Sequence, residues 1–221
     1  MSILSFSYDS VCILIIEYVS LTTGGENIMT VNKGYILLTD TGTLFTKLIK
    51  LYTKKPYNHA SIALDSKLSE VYSFGRKSVK NPFIGGFVKE DIKSNRLLNK
   101  AECAIFSFEV TDVQLVKMKR YIQEIASQKE QYRYNFLGLF GFIINRPIKR
   151  KKSFFCSQFV ASVLKESNII DFDKPLSLIA PNDLQQVANF QLVYLGNLID
   201  YNNNNDDVKC RLPLQFDPVS V

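Results

Sequence analysis

Apolar and polar positions change period several times along the chain, and each change marks an element. Gly34–Leu38 (GYILL) is a continuous apolar run that reads as a short buried strand. Thr39-Asp40-Thr41-Gly42 follows as a turn with capping residues. Leu44, Leu48, Ile49 and Leu51 then recur at helical spacing, until Lys54-Lys55-Pro56 ends the helix. His59–Leu64 (HASIAL) alternates as a half-buried strand does. Asp65-Ser66-Lys67 turns the chain, and Glu70–Phe74 supplies a second strand, so the pair predicts a hairpin. Gly75–Gly86, with Asn81-Pro82 and Gly85-Gly86, reads as loop, and Gly85-Gly86-Phe87 as an ordinary loop or a lid hinge.

Ala104–Val110 (AIFSFEV) predicts another strand. Thr111–Gln131 predicts a long helix capped by Thr111 or Asp112, with Val113, Leu115, Val116, Met118, Tyr121, Ile122 and Ile125 on its apolar face. Tyr134–Ile144 is apolar and aromatic, shorter than a bilayer span, and suits a core or a groove. Arg146–Lys152 is a basic loop. Ser153 opens a helix to about Glu166, with Phe155, Phe159, Val160, Val163 and Leu164 facing inward. Leu192–Leu198 predicts a last strand, and Asn202–Asp207 a polar tail within a C-terminal segment 202–221. Strands interleaved with a few helices predict an α+β class: an antiparallel sheet packed against helices in one domain, residues 29–201.

Composition narrows the chemistry. Hydrophobic content of 46% over 221 residues is enough for a real core. The net charge of +6 is modest and partly gathered in Arg146, Lys149, Arg150, Lys151 and Lys152. That run implies weak attraction to anionic surfaces or substrates, or a solvated loop, and no nucleic-acid partner is expected. Cys12, Cys103, Cys156 and Cys210 lie far apart with no CxxC pair, which argues against structural zinc and a disulfide framework. Free thiols suggest a reducing, cytoplasmic setting. No phosphate loop, dinucleotide fingerprint or metal cluster appears, so no cofactor is expected.

The first residues read differently. Val11–Val19 is interrupted by Glu17 and has no basic region before it, a poor fit to a signal or a span. Gly24-Gly25-Glu26 must be encoded by a purine-rich stretch resembling a bacterial ribosome-binding site, and Met29 follows. Residues 1–28 are therefore expected to be a mis-called extension.

Two residues carry candidate chemistry. Cys156, in Ser-Phe-Phe-Cys-Ser-Gln-Phe, sits in the first turn of a predicted helix, where free N–H groups and the helix dipole favour thiolate and can hold a developing oxyanion. A buried core cysteine is the plain alternative. His59, the single histidine, heads a strand after a loop and is the one imidazole able to serve that sulfur as base. Asn58 beside it holds substrate or shapes the turn, and the turn is the preferred reading.

Their order and surroundings resemble the circularly permuted papain-like branch of the NlpC/p60 superfamily, the YiiX/YebB-like group related to lecithin:retinol acyltransferase-type enzymes. There, as here, the His strand precedes the Cys helix. The resemblance rests on Gly34–Leu38, Tyr57–Gly75, Phe154–Glu166 and Ala180–Leu184, within residues 33–200. It implies a permuted papain-like fold and a thiol hydrolase (amidase or peptidase-like) acting on an amide or ester. Its substrate would be a small molecule, a peptide or a lipid acyl group. A lipid acyltransferase or lipase with the same dyad, or a binding module that kept the fold, are the alternatives. The family's third polar residue stands on the strand after the His strand. With one extra residue in the hairpin turn, Tyr72 takes that position, with Glu70 on the same face at period two and Ser73 facing away.

Overall fold

The computed structural model describes residues 32–42, 54–77, 85–136, 138, 144, 146–148 and 150–203. The expected extension 1–28, the helix through Leu44–Leu51, most of Phe136–Phe142, Lys149 and the tail 204–221 lie outside them.

Eight strands and five α-helices succeed one another among these residues. They run β1 (Asn32–Asp40), β2 (His59–Ala63), β3 (Val71–Arg76), β4 (Gly85–Glu90), α1 (Arg96–Asn99), β5 (Glu102–Val110), α2 (Asp112–Ser127), β6 (Arg133–Tyr134), β7 (Ser153–Phe154), α3 (Cys156–Glu166), α4 (Pro181–Gln185), β8 (Gln191–Asn197) and α5 (Leu198–Asn203). Six strands form an antiparallel sheet in the order β4-β3-β2-β1-β5-β8. β6 and β7 pair in parallel as a separate ribbon. The class is α+β.

Alternation along the strands builds two apolar layers. Ile36, Leu38, Ala60, Ile62, Phe74, Phe87, Ala104 and Phe106 face α2 and α3, which contribute Met118, Ile122, Ile125, Phe159, Val160, Val163 and Leu164. Tyr35, Leu37, Ala63, Val71, Cys103 and Ile105 face the opposite way, toward Leu98, Leu198 and Tyr201. Burying such side chains supplies the dominant stabilisation, about 1.5–3 kcal/mol for each large one. β1, central and buried on both faces, therefore reads as a continuous apolar run in sequence.

Several boundaries differ from the sequence reading. Thr39 and Asp40 belong to β1, and the turn narrows to Thr41-Gly42. Gly42 takes φ +61° there while its N–H donates to Asp40 Oδ1 at 3.2 Å. Gly85-Gly86-Phe87 is neither loop nor hinge: it opens β4, paired with β3 from Gly85↔Arg76 to Glu90↔Val71. α2 is closed by a capping box, Thr111 Oγ1 accepting from Gln114 N–H and Gln114 Oε1 from Thr111 N–H. Its core face is Met118, Ile122 and Ile125, whereas Val113 and Val116 are exposed, since at about 100° per residue they fall on the opposite side of the helix from Met118. Ser153-Phe154 forms β7 rather than the start of a helix, since Arg133 and Asn135 N–H donate to Lys152 and Phe154 carbonyls. No helix of the described residues is long and apolar enough to cross a membrane.

Candidate active site

The β2–β3 ladder determines where the site can form. Leu64 N–H donates to Glu70 O at 3.1 Å, so at period two Ile62 and Ala60 also turn their N–H groups toward β3. The pairing nevertheless stops after Ala63↔Val71 and Ile62↔Tyr72. Ala60 N–H donates instead to the sulfur of Cys156. α3, which packs on β2 and β3, thus begins where those two strands part.

Cys156 is the first residue of α3, after Phe155 as N-cap. Phe155 has no side-chain oxygen to satisfy the first-turn N–H groups, and one of them, that of Ser157, is turned onto the sulfur. The Ser157 hydroxyl is spent elsewhere, on Ile179 O at 2.6 Å, which ties α3 to the Ala180–Leu184 segment. A side-chain hydrogen bond joins Cys156 to His59, and another joins it to Tyr134. Sequence separation between the imidazole and the sulfur is therefore bridged entirely by the fold.

The imidazole has a second partner. His59 Nε2 lies 2.8 Å from Glu90 Oε1, with side chains 14% and 6% exposed. Glu90 Oε1 also accepts from the Ser73 hydroxyl, and Oε2 from Ser61 Oγ at 2.9 Å. Ser61 Oγ stands 3.3 Å from Nε2 as well. One buried carboxylate thus joins β2, β3 and β4 through side chains where the backbone ladder of β2 and β3 has ended. No family model, curated protein or solved structure matches the chain.

Electrostatics follow from that geometry. Burial alone would push the His59 imidazole down; the Glu90 charge and the hydrogen bonds to Cys156 and Glu90 outweigh it, and its pKa is pushed up to about 10. Burial would push the Glu90 carboxyl up, but the His59 charge and the three donors hold it below the ordinary carboxylate value. Burial would likewise raise the Cys156 thiol. The His59 hydrogen bond and charge, with the N–H groups of Ala60 and Ser157, lower it instead. Tyr134 is held well above the usual phenol range by burial and by the Cys156 charge. Cys103 is the internal contrast: buried without a charge partner, its thiol is pushed up to about 12.

Tyr72 and Glu70 are not brought to His59, which corrects the assignment of the third residue. Tyr72 pairs with Ile62 and so shares the helix-covered face, where it stacks on Phe87 at 5.9 Å and donates to Glu70 Oε1 at 3.3 Å. Glu70 precedes β3, is substantially exposed, and lies 3.9 Å from Lys89 Nζ. The assumed extra turn residue shifted the register by one, and a one-residue shift exchanges the faces of a strand. Ser73, expected to face away, is the residue that points at the site.

Glu90 and Tyr134 were missed. No strand signal marked Glu90 in sequence: Phe87-Val88-Lys89-Glu90 is two apolar residues followed by two charged ones, without alternation, and the Gly85-Gly86 pair before it reads as loop. Those glycines have a packing reason. A Cβ on Gly85 would fall 2.8 Å from Tyr134 Cβ, and one on Gly86 2.9 Å from Tyr132 O, so bare backbone lets β6 cross β4. Asn58 shapes the turn, as preferred: it is buried, its Nδ2 donates to Asp40 Oδ1, and its Oδ1 accepts from Thr41 N–H and Oγ1 at 3.3 and 3.2 Å. Within the basic run, Lys152 Nζ donates to Gln128 Oε1 at 2.9 Å and to Gln131 Oε1. Among the described residues no cluster of three His, Cys, Asp or Glu side chains could hold a metal ion.

Proposed function

We propose that this chain is a thiol hydrolase of amidase or peptidase type, with Cys156 as nucleophile, His59 as base and acid, and Glu90 as the partner of the imidazole. The observation that supports this reading is the hydrogen-bonded row Glu90–His59–Cys156 at the first residue of a helix. Nucleophile, base and orienting acid in that order are the requirement for covalent catalysis by a thiol. With Nε2 committed to Glu90, Nδ1 is the nitrogen left for the sulfur.

In this reading the proton of the thiol rests on His59 and the thiolate attacks the carbonyl carbon of an amide or ester. The π electrons move onto the oxygen, where the helix-start N–H groups and the Tyr134 hydroxyl offer donors. The tetrahedral intermediate collapses, the C–N or C–O bond breaks, and the proton on His59 goes to the leaving group. Water, deprotonated by His59, then cleaves the thioester and returns the free thiol. The order of His strand before Cys helix, with a glutamate completing the row, also favours a permuted papain-like reading of the fold.

Iodoacetamide alkylation followed residue by residue tests the nucleophile. At pH 6 an ordinary thiol is less than about 1% thiolate, so Cys156 is expected to react at least about tenfold faster than a peptide cysteine, with Cys103 unreactive. A second arm uses acyl-peptide anilides and acyl esters, looking for a thioester at Cys156 that is absent in Cys156→Ala. A Cys156 that alkylates no faster than a free peptide thiol sinks the reading.

A further inference from the structure

The thiol-hydrolase reading assigns roles to four side chains, Cys156, His59, Glu90 and Tyr134, and leaves two buried hydroxyls beside them unexplained. Ser61 and Ser73 are 1% and 0% exposed, on neighbouring strands and on the face of the sheet that carries His59. Their hydroxyls are not spent on backbone carbonyls, as Ser157 and Ser162 spend theirs. Both donate to Glu90, Ser73 to the oxygen that receives His59 Nε2 and Ser61 to the other. We propose that Ser61 and Ser73 are positioning residues for catalysis, a hydroxyl clamp that fixes the Glu90 carboxylate against Nε2 of His59.

The physical case starts from the cost of a buried carboxylate. Away from water it stays charged only if donors replace its hydration. His59 supplies one donor, and the two serines supply the others from two different strands. The clamp also fixes direction. A carboxylate held at both oxygens cannot rotate, so its Oε1 stays aligned with the imidazole and the far ring nitrogen stays aligned with the sulfur. It acts where β2 and β3 have lost their backbone pairing, so the side chains carry the registry that main-chain bonds carry elsewhere in the sheet. The titratable groups facing this cluster are His59 from β2, Glu90 from β4, Cys156 from α3 and Tyr134 from β6.

The inference rests on the thiol-hydrolase reading, and the test keeps the two separable. Alkylation of Cys156 by iodoacetamide is followed from pH 4 to 10 in the full chain, in Ser61→Ala, in Ser73→Ala and in both changes within Glu90→Gln. Because His59 is the chain's single histidine, 15N spectra of labelled protein report its ring alone. Each serine change is expected to weaken the charged form of Glu90, and hence the imidazolium–thiolate pair. The acid limb of alkylation then moves up by about one pH unit and the rate at pH 6 falls about tenfold, with a parallel change in the His59 spectrum. Within Glu90→Gln the same changes are expected to add nothing. Unshifted limbs in folded serine variants overturn the clamp while leaving the nucleophile intact, and so do shifts that persist within Glu90→Gln. Should Ser73→Ala not fold, Ser61→Ala decides alone, since it removes the donor to Oε2 independently. A wild-type Cys156 with ordinary reactivity instead defeats the underlying reading.

Discussion

Glu90 Oε1 lies 2.8 Å from Nε2 of His59, although thirty-one positions separate the two residues and β3 runs between their strands. Placing a carboxylate there gives the imidazole a charged partner on the side away from the sulfur. Glu90→Gln keeps the shape and removes the charge. The His59 pKa is expected to fall from about 10 toward its ordinary 6.5, and Cys156 alkylation at pH 6 to slow at least about tenfold. Stability is expected to drop by about 3 kcal/mol, since one member of a buried pair is lost. The sign of its pH dependence follows from both partners. The raised His59 value stabilises fully below 6.5 and is lost as pH rises through about 10. The lowered Glu90 value stabilises above 4.5 and is lost as pH falls through its folded value. The difference in urea midpoint between wild type and Glu90→Gln is therefore expected to be widest between pH 4.5 and 6.5. A difference that does not vary with pH speaks against the pair.

Tyr134 contributes a hydroxyl to the sulfur from a strand outside the main sheet. Tyr134→Phe removes that donor and little volume. The acid limb of Cys156 alkylation is expected to rise by about one pH unit, with thermal stability changed by no more than about 1 kcal/mol. An unmoved limb places the hydroxyl outside the chemistry.

Gly85 allows β6 to pass over β4, because an added Cβ would fall 2.8 Å from Tyr134 Cβ of β6, and it would also fall 2.9 Å from Gly75 O of β3. Gly85→Ala must displace backbone, and is expected to cost about 2 kcal/mol and to reproduce the alkylation profile of Tyr134→Phe. Gly42→Ala is the control. Its Cβ meets nothing within 4 Å but its φ is +61°, so about 1 kcal/mol is lost with Cys156 unaffected. Denaturant midpoints and alkylation profiles of the two variants separate these outcomes.

Tyr72 and Glu70 hydrogen-bond to each other on the helix-covered side of the hairpin. Tyr72→Phe and Glu70→Gln are expected to leave the alkylation profile and the His59 ring spectrum unchanged, and stability within about 0.5 kcal/mol. A shift in the ring spectrum in either variant implies the alternative register, with Tyr72 turned to the imidazole.

The legible part of this protein is the part that local chemistry writes. Alternation in HASIA, the continuous apolar run of β1 and the 3.6-residue spacing after Cys156 each reflect burial along one element, so strands, helix and α+β class can be read from them. A single imidazole and a cysteine at a helix start are also visible as residue types. The identity of the third partner was not, because it depends on pairing between strands. A shift of one position in the β2–β3 turn exchanged Tyr72 for Ser73. Glu90 arrives from β4, whose two opening glycines look like a loop until β6 is seen crossing them. The chain by itself therefore determined which groups were available and which elements bore them. Only the tertiary structure decided which carboxylate and which hydroxyls meet the imidazole, since register and strand crossing arise from contacts between distant segments.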